Sequence, residues 1–163
     1  MKESKKLDSI DLSILEILQE NGKITNLQLS KEIGLSPAPT LERVKKLEST
    51  GVIKSYHAKV EETALDIGII AYMQVSLVRQ ANNAIDKFAQ HVQSIDEVVE
   101  CYQVTGQADL LLKVMVRDIP AFDKMVRDKF NHIAEIDRIE TMIVLSTEKQ
   151  INKIPFEYRP KKK

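Results

Sequence analysis

The sequence predicts an α+β fold in two domains: three short helices within the first sixty residues, then strands and helices in the order β-α-β-β-α-β. Two observations carry this prediction. The apolar period is helical up to Gly51, whereas after Gly68 two-residue alternation and helical stripes take turns. Between Gly34 and Val60 there are also five Lys/Arg against two Asp/Glu, in a chain whose 24 basic and 24 acidic residues cancel. Whole-chain charge therefore names no polyanionic partner, and any such surface must be local.

Leu7, Ile10, Ile14, Leu15, Ile17 and Leu18 recur at helical spacing and stop at Asn21-Gly22, read as a left-handed terminator. A second helix is expected from Thr25 to Ile33, with Leu29 and Ile33 on one face and Ser30 beside them. Gly34 ends it, Leu35 is an apolar plug, Ser36 is the N-cap of a third helix and Pro37 takes its first position. That helix runs to Gly51, with Leu41, Val44 and Leu47 read as its core face. Val52 to Val60 alternates loosely, as a short strand or wing would. Glu61-Glu62 opens a short helix whose dipole it complements.

In the second half, Ile69–Val78, Val98–Val104, Leu110–Val116 and Ile139–Leu145 read as strands. Ile85, Phe88, Ala89 and Val92 form one helical stripe, and Phe122, Met125, Val126 and Phe130 another. This is the ferredoxin-like plan, with two helices over one face of a four-stranded antiparallel sheet. The other face is left open, carrying Tyr72, Gln74, Cys101 or Tyr102, Met142 and Val144 according to register, and an apolar open face predicts at least a dimer. The expected division is 1–60, a connector 61–68, a second domain 69–150 and a tail 151–163, whose basic end from Arg159 is read as solvated.

Ser30 and Gly34 supply what a helix-turn-helix requires: a small side chain where two helices cross and a glycine where the chain reverses. If Leu41, Val44 and Leu47 face inward, Pro39, Glu42, Arg43 and Lys46 face out and are free to meet DNA. Ser36, Ala38 and Thr40 lie at the helix start, where N–H groups meet phosphates and short side chains approach base edges. Arg43 is the first candidate for a base or phosphate, because its planar fork matches either bidentately. Lys45, Lys46, Lys54 and Lys59 are read as phosphate neutralisers. The alternative is a solvated charged face on a small helical bundle.

Two stretches resemble the Lrp/AsnC (feast/famine) family of transcription regulators. The first comprises Asp8-Ser9-Ile10-Asp11 with Ile14-Leu15, then Leu29 to Pro37, Leu41 to Glu48 and Gly51-Val52-Ile53; the second is Val104 to Val114. The resemblance spans residues 7 to 150. It implies a winged or plain helix-turn-helix DNA-binding domain, followed by a ligand-sensing domain whose sheet pairs with a second subunit's and whose dimers assemble into octamers. It also implies an effector, an amino acid or related metabolite, at the hairpin Gly106-Gln107-Ala108-Asp109 with Thr141 nearby. Many relatives carry an aromatic residue where this chain has Ala108. Chemically, Asp109 suits an ammonium and the N–H groups about Gly106 suit a carboxylate. An ordinary tight turn would use the same residues.

Other chemistry finds little support in the sequence. His57, His91 and His132 lack metal-ligand spacing, and no metal or cofactor is expected. Cys101, the single cysteine, is read as a buried strand residue in a reducing, cytoplasmic protein. The start is basic but is followed at once by acids, so no leader or membrane-length apolar run is read. Two rivals remain: a small enzyme on the ferredoxin-like fold, and a metabolite-binding regulatory subunit of another enzyme. The first needs a strand asparagine, but Asn21, Asn26, Asn82, Asn83, Asn131 and Asn152 fall in helices, turns or the tail. The second leaves the basic third helix without a purpose.

Overall fold

The computed structural model describes residues 7–78, 83–151 and 153–155. It divides into two compact units, residues 1–59 with 149–163, and residues 60–148.

In the first unit, α1 (Ser9–Glu20), α2 (Asn26–Ile33) and α3 (Pro37–Ser49) surround Ile14, Leu29 and Leu47. Two capping boxes start the helices. Asp8 exchanges side-chain and backbone bonds with Asp11, and Thr25 does so with Gln28. Gly34 closes α2 with φ 72°, and the N–H of Leu35 returns to the Ser30 carbonyl. The residue after α1 departs from expectation: Asn21 has φ −140°, so this stop is not left-handed.

The phase of α3 corrects the sequence reading. Thr40 is fully buried and Leu41 is 42% exposed, so the inward face is Thr40, Val44 and Leu47. Thr40 tolerates burial because its hydroxyl donates to the Ser36 carbonyl at 2.9 Å. Val52 to Val60 forms no strand among the described residues, since no second segment lies alongside to make a ladder. The N–H groups of Val52 and Ile53 return to Leu47, and Tyr56 donates to Glu48 at 3.0 Å. Burial, reinforced by Glu48, pushes the Tyr56 phenol up to about 12. Lys153 pairs with Glu16 and Glu20 on α1, and the Ile154 N–H donates to Gln19. Arg159 to Lys163 lie outside the described residues.

The second unit opens with a 3-10 turn (Glu62–Leu65) and contains β1 (Ile69–Leu77), α4 (Ala84–Val92), β2 (Val98–Gln103), β3 (Leu110–Val116), α5 (Ile119–Met125, extended by a π turn over Val126–Phe130) and β4 (Ile136–Ile143). The sheet is antiparallel throughout, in the order β2-β3-β1-β4. Strand alternation sends Met73, Val75, Leu110, Leu112 and Val114 under Phe88, Met125 and Phe130. Each fully buried large side chain contributes about 1.5–3 kcal/mol. Hydropathy misjudged one helix face and one strand's bounds. Ile85 is exposed while Ala84 is buried, and β4 begins at Ile136, with Leu145 beyond its end and 96% exposed.

The opposite sheet face, turned away from α4 and α5, carries Tyr72, Gln74, Leu111, Lys113, Met115, Tyr102 and Met142. Tyr102, not Cys101, faces this way, because Tyr102 pairs with Leu111 and Cys101 with Leu112. Cys101 is exposed on its edge strand rather than buried, although partial burial still raises its thiol pKa.

Candidate nucleic-acid interface and effector turn

Three local features aim α3. Pro37 stands at its first position, Gly34 turns the chain into it, and the Asn26 side chain donates to the Pro37 carbonyl at 2.8 Å. Ser36 caps through its backbone alone, so its exposed hydroxyl makes no capping bond. The outward face then reads Ala38, Leu41, Glu42, Lys45, Lys46 and Ser49, all exposed, with Pro39 half-buried at its border. Lys54 is exposed beyond the helix. No described carboxylate pairs with Lys45, Lys46 or Lys54.

Two residues expected on that face are engaged elsewhere. Thr40 is in the core. Arg43 turns back to α1, where its Nη1 lies 2.7 Å from Asp8 Oδ2 and 2.7 Å from Asp11 Oδ1. The expectation that Arg43 is free for DNA is thereby corrected: its partners lie more than thirty residues earlier, beyond the reach of any periodicity argument. Lys45 was legible only as a general cation, because the misread phase hid its place on the outward face.

This capping box has a pH signature. The Asp8 carboxyl is held below its ordinary 3.8, first by the Asp11 N–H, against a smaller opposing effect of burial, and then by Arg43. A depressed folded pKa gives stability that is present above the unfolded value and is lost as pH falls through the folded one. The thermal midpoint of wild type should therefore exceed that of Asp8→Asn at pH 6. The gap should narrow only as the pH falls below the ordinary 3.8 and through the lower folded value. A gap that stays the same size from pH 6 down to about pH 2, followed by circular dichroism, contradicts this account.

In the second unit Gly106 takes φ 124° in the β2–β3 turn, a conformation that favours glycine. No described backbone carbonyl accepts the N–H groups of Gly106, Gln107 or Ala108. Asp109 has a structural duty that sequence reasoning missed. At the irregularity between Ser76 and Leu77, the Leu77 N–H donates to Asp109 Oδ2 at 2.8 Å, leaving Oδ1 without a bonded partner among the described residues. Thr141 is exposed opposite Met73 on β4, while the Asp109 N–H meets the Val75 carbonyl on the far side of β1. From strand spacing and rise, the two stand on the order of 14 Å apart in one chain. One subunit thus does not bring Thr141 to the turn. Among the described residues no three metal-ligating side chains cluster, and no helix is long and apolar enough to cross a membrane.

A cation-bearing helix-turn-helix joined to a ferredoxin-like sheet with an open turn defines a DNA-binding regulator carrying a ligand-binding domain. Residues 7–54 match winged helix-turn-helix DNA-binding domains, and residues 70–154 match the Lrp/AsnC ligand binding domain. The chain belongs to the Lrp/AsnC family, whose members are transcriptional regulators and not enzymes. It is 39% identical to the leucine-responsive regulatory protein of Haemophilus influenzae, over 93% of this chain and 91% of that one. Its identity to the Escherichia coli leucine-responsive regulatory protein is 37%, over 95% and 94%. A transcriptional regulator from Neisseria meningitidis, solved with L-Met, superposes with a TM-score of 0.88 at 35% identity, covering 92% of this chain and 97% of that one. For Escherichia coli AsnC the values are 0.81, 31%, 89% and 96%.

Proposed function

We propose that the protein is a cytoplasmic, amino-acid-responsive regulator that binds pseudo-palindromic DNA as a homodimer, with dimers assembling further into octamers. The observation that carries this reading is the outward face of α3, where Lys45 and Lys46 are free of described carboxylates and Ala38 and Leu41 stand exposed behind the helix start. Ser36, Ala38, Pro39 and Leu41 approach base edges, the last by apolar contact, while Lys45, Lys46 and Lys54 neutralise phosphates. Thr40 and Arg43 take no direct part.

The apolar sheet face around Leu111, Met115 and Tyr72 supports pairing with a second copy, which places two α3 helices about one helical turn apart on DNA. The effector is an amino acid, its ammonium at Asp109 and its carboxylate at the N–H groups of Gly106 to Ala108, with Thr141 supplied by a neighbouring subunit. Leucine and methionine are the first candidates, since relatives are leucine-responsive or were solved with L-Met. Remote from DNA, the effector acts through its differential affinity for two assembly states.

Selecting bound duplexes from a random pool, with and without each amino acid, tests the whole reading. Retention of no duplex even in dilute buffer would sink it. On a selected site, Lys45→Ala should weaken binding of all sequences alike and reduce the slope of log K against log salt by about 0.9, as expected for one lost phosphate contact. An unchanged slope removes Lys45 from the interface.

A further inference from the structure

We propose that Arg43 is a positioning residue that sets the rotation of α3 about its own axis, and so decides which side chains meet the DNA groove. The proposal rests on the DNA-binding reading above and adds to it the device that makes the helix face legible to DNA.

The geometry is a closed set of bonds. Asp8 Oδ1 accepts from the Asp11 N–H at 2.8 Å, and Asp11 Oδ2 accepts from the Asp8 N–H at 3.3 Å. The remaining oxygen of each carboxylate accepts from the same Arg43 nitrogen, at 2.7 Å in both cases. All four oxygens are thus engaged, and the cation sits between two anions that would otherwise repel. The Asp11 side chain is only 9% exposed, so its charge has little water to fall back on. Both contacts come from one nitrogen, so a lysine ammonium can make them too and differs in reach and in its flexible stem.

The rotation matters because hydropathy alone favours another one. A roll of roughly 30°, on a helix whose successive residues stand about 100° apart, brings Leu41 in beside Val44 and Leu47 and moves Thr40 out, burying a leucine in place of a threonine. The observed phase keeps Leu41 out, and three polar contacts bear on it: the Thr40 hydroxyl on Ser36, the Asn26 amide on the Pro37 carbonyl, and Arg43 on the start of α1. The first lies within the α3 cap and turns with the helix, and the second holds only the helix start. Arg43 is the side chain midway along α3 that ties its phase to another helix. Without it, α3 rolls toward burial of Leu41, carrying Ala38 and Lys45 away from the groove.

Operator binding and the free protein give independent readouts. The probes are a duplex selected by this protein and a mixed-sequence duplex of equal length, with every measurement made well below each variant's thermal midpoint. Arg43→Ala and Asp11→Asn should each cut the preference for the selected duplex by about tenfold, leave the salt slope on the mixed duplex unchanged, and combine without a further loss. Arg43→Lys should recover part of the preference. In the free protein, broadening of the Leu41 methyl resonances by a dissolved nitroxide should fall in both single variants.

The proposal is overturned if Asp11→Asn keeps full preference while Arg43→Ala loses it, because Arg43 then touches DNA itself. Equal Leu41 broadening in wild type and Arg43→Ala overturns it as well. Should wild type retain no duplex at all, the DNA-binding reading fails, and the methyl measurement still decides the rotation.

Discussion

Leu111→Arg is expected to convert the protein to monomers and to weaken its binding to a selected pseudo-palindromic duplex by at least about a hundredfold. Leu111 lies on the sheet face turned away from α4 and α5, between Gln74 of β1 and Tyr102 of β2. In an isolated subunit an arginine there extends into water and costs little. Between two paired sheets it is a desolvated charge without a partner. Losing the partner halves the contacts, but the larger effect is the loss of effective concentration, since the second half-site is no longer bound by a tethered helix. Sedimentation and DNA titration should change together while the thermal midpoint at low protein concentration holds. A variant that stays dimeric places the subunit contact elsewhere.

Asp109→Asn is expected to abolish the response of DNA binding to an amino acid while leaving the fold intact. The amide oxygen still accepts from the Leu77 N–H, so the β1 irregularity stays satisfied, but the anion for an ammonium is gone. A lost charge-assisted contact of about 1.5–3 kcal/mol weakens effector binding by roughly 10- to 150-fold. Asp109→Ala should lose the response and also about 1–2 kcal/mol of stability, because the Leu77 donor is left unpaired. The two substitutions together separate sensing from structure. Normal response in the Asn variant would assign Asp109 wholly to the turn.

The order of elements was legible because each signal is local. A glycine at Gly34, a Pro37 start and a switch of apolar period lie within a few residues of what they specify. The Gly106–Asp109 hairpin was legible as a turn, and Gly106 takes the positive φ its type allows. What escaped was phase and partnership. Hydropathy chose Leu41 over Thr40 for the core because it cannot see that a threonine hydroxyl is satisfied by its own helix. The wing was inferred from alternation, which says nothing about whether a neighbouring strand exists.

Composition, periodicity and turn residues were thus enough to establish a helix-turn-helix ahead of a βαββαβ sheet, with a basic third helix and an exposed Gly-x-x-Asp turn. Chain packing had to settle which side of α3 faces outward, that Arg43 is spent on Asp8 and Asp11, and that Asp109 supports β1. The reason is distance along the chain. Backbone preferences act over three or four residues, whereas an ion pair or a strand register joins groups more than thirty residues apart, and folding alone brings these together.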